Sequence, residues 1–371
     1  MNKRTNFGEK FFNLLIKTAL PVALCLAAVL FGAGSVAEKL LTASFVLSHP
    51  LSVFSAENKT EEKTNSENTV TGDTPQTQTA NSSIVFTVSS DIKKLVDEAE
   101  KKYAGSSNDG AISAEDYSIK NATAEYNGIY LRNTTQNHSE IDIAEYLNRN
   151  VQAAVDTDKP AVLIYHTHTS ETYELLDRDF YTNERSTRSE NSAENMIRVG
   201  EEICKVLENN GYKTIHDKTV YDETVSGAYD RARENISKIL KENPSIQVVL
   251  DIHRDSIYLK DGTRLKTVSQ IGGEKVAQIM ITTGCEDGNV TDFPNWEKNL
   301  TFALNLHQSL IREAPSLMRP LTLAGRKYNM DLVPCALHIE IGTDANTLTE
   351  AVNSASLFGE ALSNLLEEYE I

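Results

Sequence analysis

The sequence predicts an α/β protein: a mainly parallel sheet flanked by helices, preceded by an N-terminal transmembrane helix, a disordered linker and a small lead-in region. Three observations carry this. From Lys159 onward, strand-like and helix-like runs alternate, the pattern of a sheet covered by crossover helices. Thr18 to Ala37 is an uncharged apolar run, about the length needed to cross a bilayer. Ser55 to Ser83 is rich in Thr, Asn, Glu and Ser and has too few large apolar residues to offset the entropy of ordering.

In chain order, residues 1–17 carry Lys3, Arg4, Lys10 and Lys17 against Glu9 alone. Such a basic tail belongs on the cytoplasmic side. Residues 18–37, TALPVALCLAAVLFGAGSVA, follow as a membrane anchor with its carboxyl end outside. A cleaved signal peptide is the rival reading, because Ser35-Val36-Ala37 resembles a small-x-small cleavage site. The apolar run is longer than a usual signal core, which argues for the anchor. Either way the rest of the chain is exported. Residues 38–83 form a flexible tether.

Residues 84–155 read as a small α+β lead-in. The stretch IVFTVSSDIKKLVDEAEKKYAG suggests a short strand and an amphipathic helix. Asn127-Gly128 between extended runs suggests a strand pair, and EIDIAEYLNRNV another helix. No chemistry attaches to this region. The main domain, 156–371, has strand candidates at Ala161–Tyr165, Lys213–His216, Gln247–Asp251, Ala277–Thr282 and Ala336–Ile341. Helix candidates are Ala193–Asn210, Tyr229–Glu242, Trp296–Glu313 and Thr347–Glu368. Gly211 is placed to close the first of these helices.

The chain of 371 residues has 53 acidic and 36 basic side chains, a formal charge of -17. It offers no cationic field for phosphates, which argues against a nucleic-acid partner. Cys25, Cys204, Cys285 and Cys335 form no C-x-x-C pair. That excludes a zinc ribbon or thioredoxin motif and leaves buried thiols, or one disulfide in an exported domain.

Function in a parallel sheet gathers at the carboxyl ends of its strands, and three such ends carry polar groups. The first is His166-Thr167-His168-Thr169-Ser170-Glu171. The second is Asp251-Ile252-His253-Arg254-Asp255. The third is Glu340 before Gly342-Thr343. One histidine at a strand end is ordinarily structural. Two ends that each combine histidine with an acid suit a catalytic zinc, which takes His and carboxylate ligands and keeps a position open. Glu340, set between Ile339 and Ile341, is a candidate general base. His338 shares its strand face and reads as a core, second-layer or substrate-contacting histidine. Asp251 or Asp255 could orient an imidazole. His49, His138, His216 and His307 lack such contexts.

The stretches LIYHTHTSETY, NMIRVGEEICKVLENNGYKTIHDKTVYD, LDIHRDS and IEIGTDANTLTEA together resemble the stage II sporulation protein P family, membrane-anchored cell-wall hydrolases of endospore-forming bacteria. The resemblance covers Ala161 to the carboxyl terminus and fits the anchor. That family is related to the zinc-dependent N-acetylmuramoyl-L-alanine amidases. The resemblance implies a bound Zn2+ held by His168 and His253, with Glu340 as the catalytic glutamate. The acidic ligand it implies is Glu171, with Glu190 and Glu194 near the first long helix as the alternative. His166 could replace His168, since both would face one side of an extended strand. Arg254 would anchor a muropeptide carboxylate or an oxyanion, or else form a structural salt bridge. The implied reaction is cleavage of the amide between N-acetylmuramic acid and L-alanine, with peptide cross-links as further substrates. The implied setting is forespore engulfment, between the mother-cell and forespore membranes, beside a lytic transglycosylase and a multi-pass membrane scaffold.

Overall fold

In the computed structural model the described residues are 84–371. The tail, anchor and tether expected at 1–83 lie outside them. Among the described residues no helix is long and apolar enough to cross a membrane.

The chain begins with α1 (Ser90–Lys102), β1 (Gly110–Glu115), β2 (Ala124–Tyr126), β3 (Ile129–Asn133) and α2 (Ile143–Leu147). It continues through β4 (Val162–Tyr165), β5 (Phe180–Tyr181), α3 (Met196–Asn209), β6 (Thr214–His216), α4 (Ala228–Glu242) and β7 (Val248–Asp255). Then come β8 (Arg264–Ile271), β9 (Glu274–Ala277), β10 (Ile279–Gly284), α5 (Trp296–Glu313), β11 (Leu321–Ala324), β12 (Cys335–Thr343) and α6 (Leu348–Glu367). An eight-stranded sheet has the order β2-β3-β11-β10-β12-β7-β4-β6, and a four-stranded sheet the order β5-β1-β8-β9. In the large sheet β10 runs against β12 and β2 against β3, and the other neighbours are parallel.

Local chemistry sets the boundaries. The β2–β3 hairpin turns on Asn127 (φ 50) and Gly128 (φ 81), the two left-handed residues that a tight hairpin needs. Helix α3 starts at Met196 rather than Ala193 because the Asn195 side chain accepts from the Ile197 amide and caps it. Thr347 and Glu350 close a reciprocal capping box on α6. The run Ala277–Thr282, expected as one strand, divides. Ala277 ends β9 on β8, and β10 starts at Ile279. Between them Gln278 accepts from the Tyr117 amide and donates to Asp116, Ser118 and the Ser316 carbonyl. That fixed polar crosslink breaks the strand. The strand expected at Ile84–Val88 does not form, and Ile84, Phe86 and Val88 pack on the core instead.

The lead-in residues are built into both sheets. Leu131 pairs with Leu321, and Ile112 pairs with Arg264, so hydrogen-bonded ladders cross the boundary expected near residue 155. Cys204, Cys285 and Cys335 are buried free thiols.

One face of the large sheet presents Ile164, Leu250, Ile252, Leu337, Ile339 and Ile341 to α3, α5 and α6. Each such burial contributes about 1.5–3 kcal/mol. The other face presents Leu163, Tyr165, Val249 and Ala336 to Ala232 and Ile236 of α4. Strand side chains alternate between faces. Asp251 and His253 therefore continue the Val249 face, and His338 and Glu340 the Ala336 face. There the apolar layer gives way to titratable groups.

Candidate metal centre

Strands β7 and β12 are parallel neighbours in which Asp251 registers with His338 and His253 with Glu340. Four polar side chains thus stand side by side at the carboxyl end of the sheet. β4 ends at Tyr165, and the chain turns over residues 167–170. Asp251 holds that turn: Thr167 donates its amide to Oδ1 at 2.8 Å and its hydroxyl to Oδ2 at 2.7 Å. The turn delivers His168 and Glu171. His168 is buried, its ring edge-on to His253 with centroids 5.3 Å apart and edge-on to Tyr229 at 5.7 Å.

His253 is gripped from both sides. Nδ1 lies 3.4 Å from Glu171 Oε2 and Nε2 lies 2.7 Å from Asp251 Oδ1. The His338 ring stacks on His253 at 4.3 Å, and its Nε2 lies 2.8 Å from Glu340 Oε1. Tyr328 stacks on His338 at 5.1 Å and on Tyr229 at 5.0 Å, closing an aromatic wall. His338 Nδ1 and Glu340 Oε2 are buried with no hydrogen-bond partner.

The charges are set by mutual attraction. Burial opposes ionisation of Glu171, but Arg254, then His253 and His168, hold its pKa well below the ordinary value. Burial likewise opposes ionisation of Asp251. The imidazoles of His253 and His338 and the Thr167 amide outweigh it and lower its pKa to about 2. Burial alone would keep His253 neutral, yet Asp251 and Glu171 raise its pKa well above normal. The buried carboxylates and imidazoles thus compensate one another.

Asp251, His253 and His338 offer donor atoms within 4.8 Å of one another, and a second set overlaps them. Two donors about 2.0–2.1 Å from one tetrahedral zinc stand about 3.3–3.4 Å apart. Glu171 Oε2 and His253 Nδ1, at 3.4 Å, have that separation. The 2.7 Å contact of His253 Nε2 with Asp251 is at hydrogen-bonding distance. A metal on Nδ1 would complete the carboxylate–histidine–metal arrangement, in which the far carboxylate orients the ring. The residues present fit zinc, with Glu171 and His253 as ligands, His168 beside them and Asp251 behind.

The structure brings together His168, Glu171, His253 and Glu340, the residues expected at the site. His166 is turned away. Its Nδ1 lies 2.9 Å from the Ile252 carbonyl and its Nε2 2.9 Å from His216 Nε2, beneath α3. The strand has already ended at Tyr165, so His166 and His168 do not share a side as on an extended chain. Burial lowers the His166 pKa to about 3. Glu194 is engaged by Arg185 at 3.2 Å and by the Ser189 hydroxyl at 2.7 Å, and Glu190 is exposed.

Arg254 does not suit the anchoring role expected of it. Its guanidinium donates to the carbonyls of Thr172 at 3.3 Å, Asp255 at 3.3 Å and Thr187 at 3.0 Å. Its charge faces Glu171, so it braces the ligand loop. Neither does it form the salt bridge to Asp251 or Asp255 that was the alternative, since only the Asp255 carbonyl is used. Tyr229 and Tyr328 were missed. Both are aromatics in stretches with no motif, and no signal in the sequence points to them.

A family model described as Stage II sporulation protein P matches residues 48–363. The stage II sporulation protein P of Bacillus subtilis (strain 168) is 28% identical over 220 residues, 56% of this chain and 51% of that protein. The chain thus spans about half the length of that relative. Among solved structures, N-acetylmuramoyl-L-alanine amidase AmiC2 of Nostoc punctiforme is 9% identical with a TM-score of 0.34, covering 58% of this chain and 98% of that one. The CwlD amidase from Clostridioides difficile, in complex with the GerS lipoprotein, is 11% identical with a TM-score of 0.35, covering 56% and 98%.

Proposed function

The chain belongs to the stage II sporulation protein P family, and from that premise we propose that it is a membrane-anchored, zinc-dependent peptidoglycan hydrolase. It cleaves the amide between N-acetylmuramic acid and the L-alanine of the stem peptide during forespore engulfment. The observation that carries this is the 3.4 Å separation of Glu171 Oε2 and His253 Nδ1, with Glu340 in register beside His253.

Zinc bound by such donors supplies Lewis acidity and lowers the pKa of water to near neutrality. The chain's own residues supply the rest. Asp251 fixes the His253 ring, and Arg254 and Thr167 fix the two ends of the ligand loop. His338 Nε2 holds Glu340 Oε1 at 2.8 Å, which leaves Oε2 to take a proton from the attacking water. Glu340 then returns that proton to the nitrogen of the leaving amine. Tyr229 and Tyr328 wall the site against bulk water.

Anchoring at residues 18–37, and work beside a lytic transglycosylase and a multi-pass membrane scaffold, belong to the same proposal, and family membership supports them. Cleavage of peptide cross-links is the variant reading of the same centre. The test is digestion of purified peptidoglycan by the full-length protein with zinc and the transglycosylase, followed by mass spectrometry. Free stem peptides are the expected product. Separated cross-linked dimers without free stems would move the cleavage to the peptide bridge. Neither product would overturn the proposal.

A further inference from the structure

We propose that Arg319 and Arg132 form a subsite for a carboxylate of the substrate peptide, next to the centre built on His253 and Glu340. This rests on the peptidoglycan reading above.

Arg319 stands at the entry to β11 and is 6% exposed. Its Nη2 donates to Asp255 Oδ2 at 2.8 Å and its guanidinium lies over the Tyr117 ring at 5.5 Å. Its Nη1 is buried and has no hydrogen-bond partner. A buried guanidinium donor left unmade is costly, and an acceptor brought by a ligand relieves it. Asp255 lies two residues beyond His253 on the same strand face, about 7 Å along it. The Arg319–Asp255 pair therefore sits at the rim of the proposed catalytic site.

Arg132 reaches the same place from the other side. It registers with Thr322, Thr322 with Thr282, and Thr282 with His338. That puts Arg132 on the catalytic face, three strands and about 14 Å from His338 by backbone spacing. It is half-buried, and burial, then the nearby charge of Arg319, lower its pKa while Asp255 raises it. Arg132 and Arg319 both lie within reach of the Asp255 carboxylate, and Glu115 stands near Tyr117. Guanidinium forks match carboxylate geometry and bind it by charge-assisted hydrogen bonds.

An extended peptide advances about 3.3–3.6 Å per residue. A carboxylate bound at this rim would belong to a residue about two to four positions from the scissile amide. The stem peptide is the part of peptidoglycan that carries carboxylates at that remove. Tyr117 and Arg132 both come from the lead-in region, which thereby acquires a role in recognition.

The test uses full-length protein carrying Glu340→Gln, which separates binding from hydrolysis. Titration calorimetry compares an N-acetylmuramoyl peptide bearing free carboxylates with its carboxamide counterpart. The carboxylate form should bind about ten- to hundredfold more tightly. That ratio should fall to about one when Arg319→Gln or Arg132→Gln is added, and recover with Arg319→Lys. Arg132→Gln, at a half-buried position, guards against misfolding of the Arg319 variant, and circular dichroism checks both. Equal affinities for the two peptides, or a ratio unchanged in both variants, would overturn the subsite. A retained ratio alongside failed peptidoglycan digestion by the unsubstituted protein would sink the hydrolase reading alone.

Discussion

Replacing Asp251 by Asn removes one negative charge and almost no volume. The Asn carbonyl can still accept the Thr167 amide, so the turn survives in outline. Two interactions are lost: the carboxylate facing His253 Nε2 at 2.7 Å and the acceptor of the Thr167 hydroxyl at 2.7 Å. Hydrogen bonds to charged groups are worth about 1.5–3 kcal/mol. The His253 contact alone then predicts zinc binding weaker by about 10–100-fold, the range seen when an imidazole-orienting carboxylate is removed. The assay is competition for zinc against a chromophoric chelator at neutral pH, with the substituted and unsubstituted proteins side by side. Affinity within twofold of the original would show that Asp251 does not orient a ligand. A loss beyond about a thousandfold would show that Asp251 is itself a ligand, which also refutes the arrangement.

Glu340→Gln should lower the hydrolysis rate by about 10²–10⁴-fold while zinc affinity stays within a few-fold, and a parallel loss of zinc would contradict its role as base. His307 is buried, and burial lowers its pKa to about 3. Its folded pKa lies below its unfolded value, so the unfolded state takes up a proton first, and stability falls as pH drops below about 6.5. Between pH 7 and 5 this amounts to about 2 kcal/mol; urea unfolding of His307→Leu should show a pH dependence smaller by that amount, and an identical dependence would refute it. Gly200→Ala would place a Cβ 2.6 Å from His216 Nε2 and 2.7 Å from His166 Nε2. It should destabilise the protein by about 1–3 kcal/mol, and a neutral result in urea would mean that α3 shifts freely over the histidine pair.

The parts of the fold legible in the sequence are those whose signal is local. β4, β7 and β12 are buried on both faces, and each opens on an apolar run, Val162–Tyr165, Val248–Leu250 and Cys335–Leu337. α5 has the limits Trp296–Glu313 that its periodicity predicts. β8 (RLKTVSQI) was not legible, because it mixes buried cations with half-exposed polar residues and pairs with the lead-in. The antiparallel direction of β10 depends on partners distant in sequence, which periodicity does not encode. At the site, the juxtaposition of His253 and Glu340 was legible because strand register needs only strand assignments. The choice between His166 and His168 was not legible because the end of β4 is fixed by Asp251 gripping Thr167 across strands. Arg254 was misjudged because its partners are backbone carbonyls, which have no sequence signature.

The edge hairpin has a consequence for how the molecule assembles. β3 emerges early in synthesis, yet its only partner toward the sheet interior is β11, which follows after α5. Until then its outward-facing hydrogen-bonding groups must be left to water, and closure waits for a long loop to form. The central strands β4, β7 and β12 can associate without it. A two-step refolding course is therefore expected, with the catalytic strands collapsing first and the hairpin docking last. In that course the catalytic face exists before its arginine rim does, and competence for the peptide arrives only when an early-made strand finds one made far later.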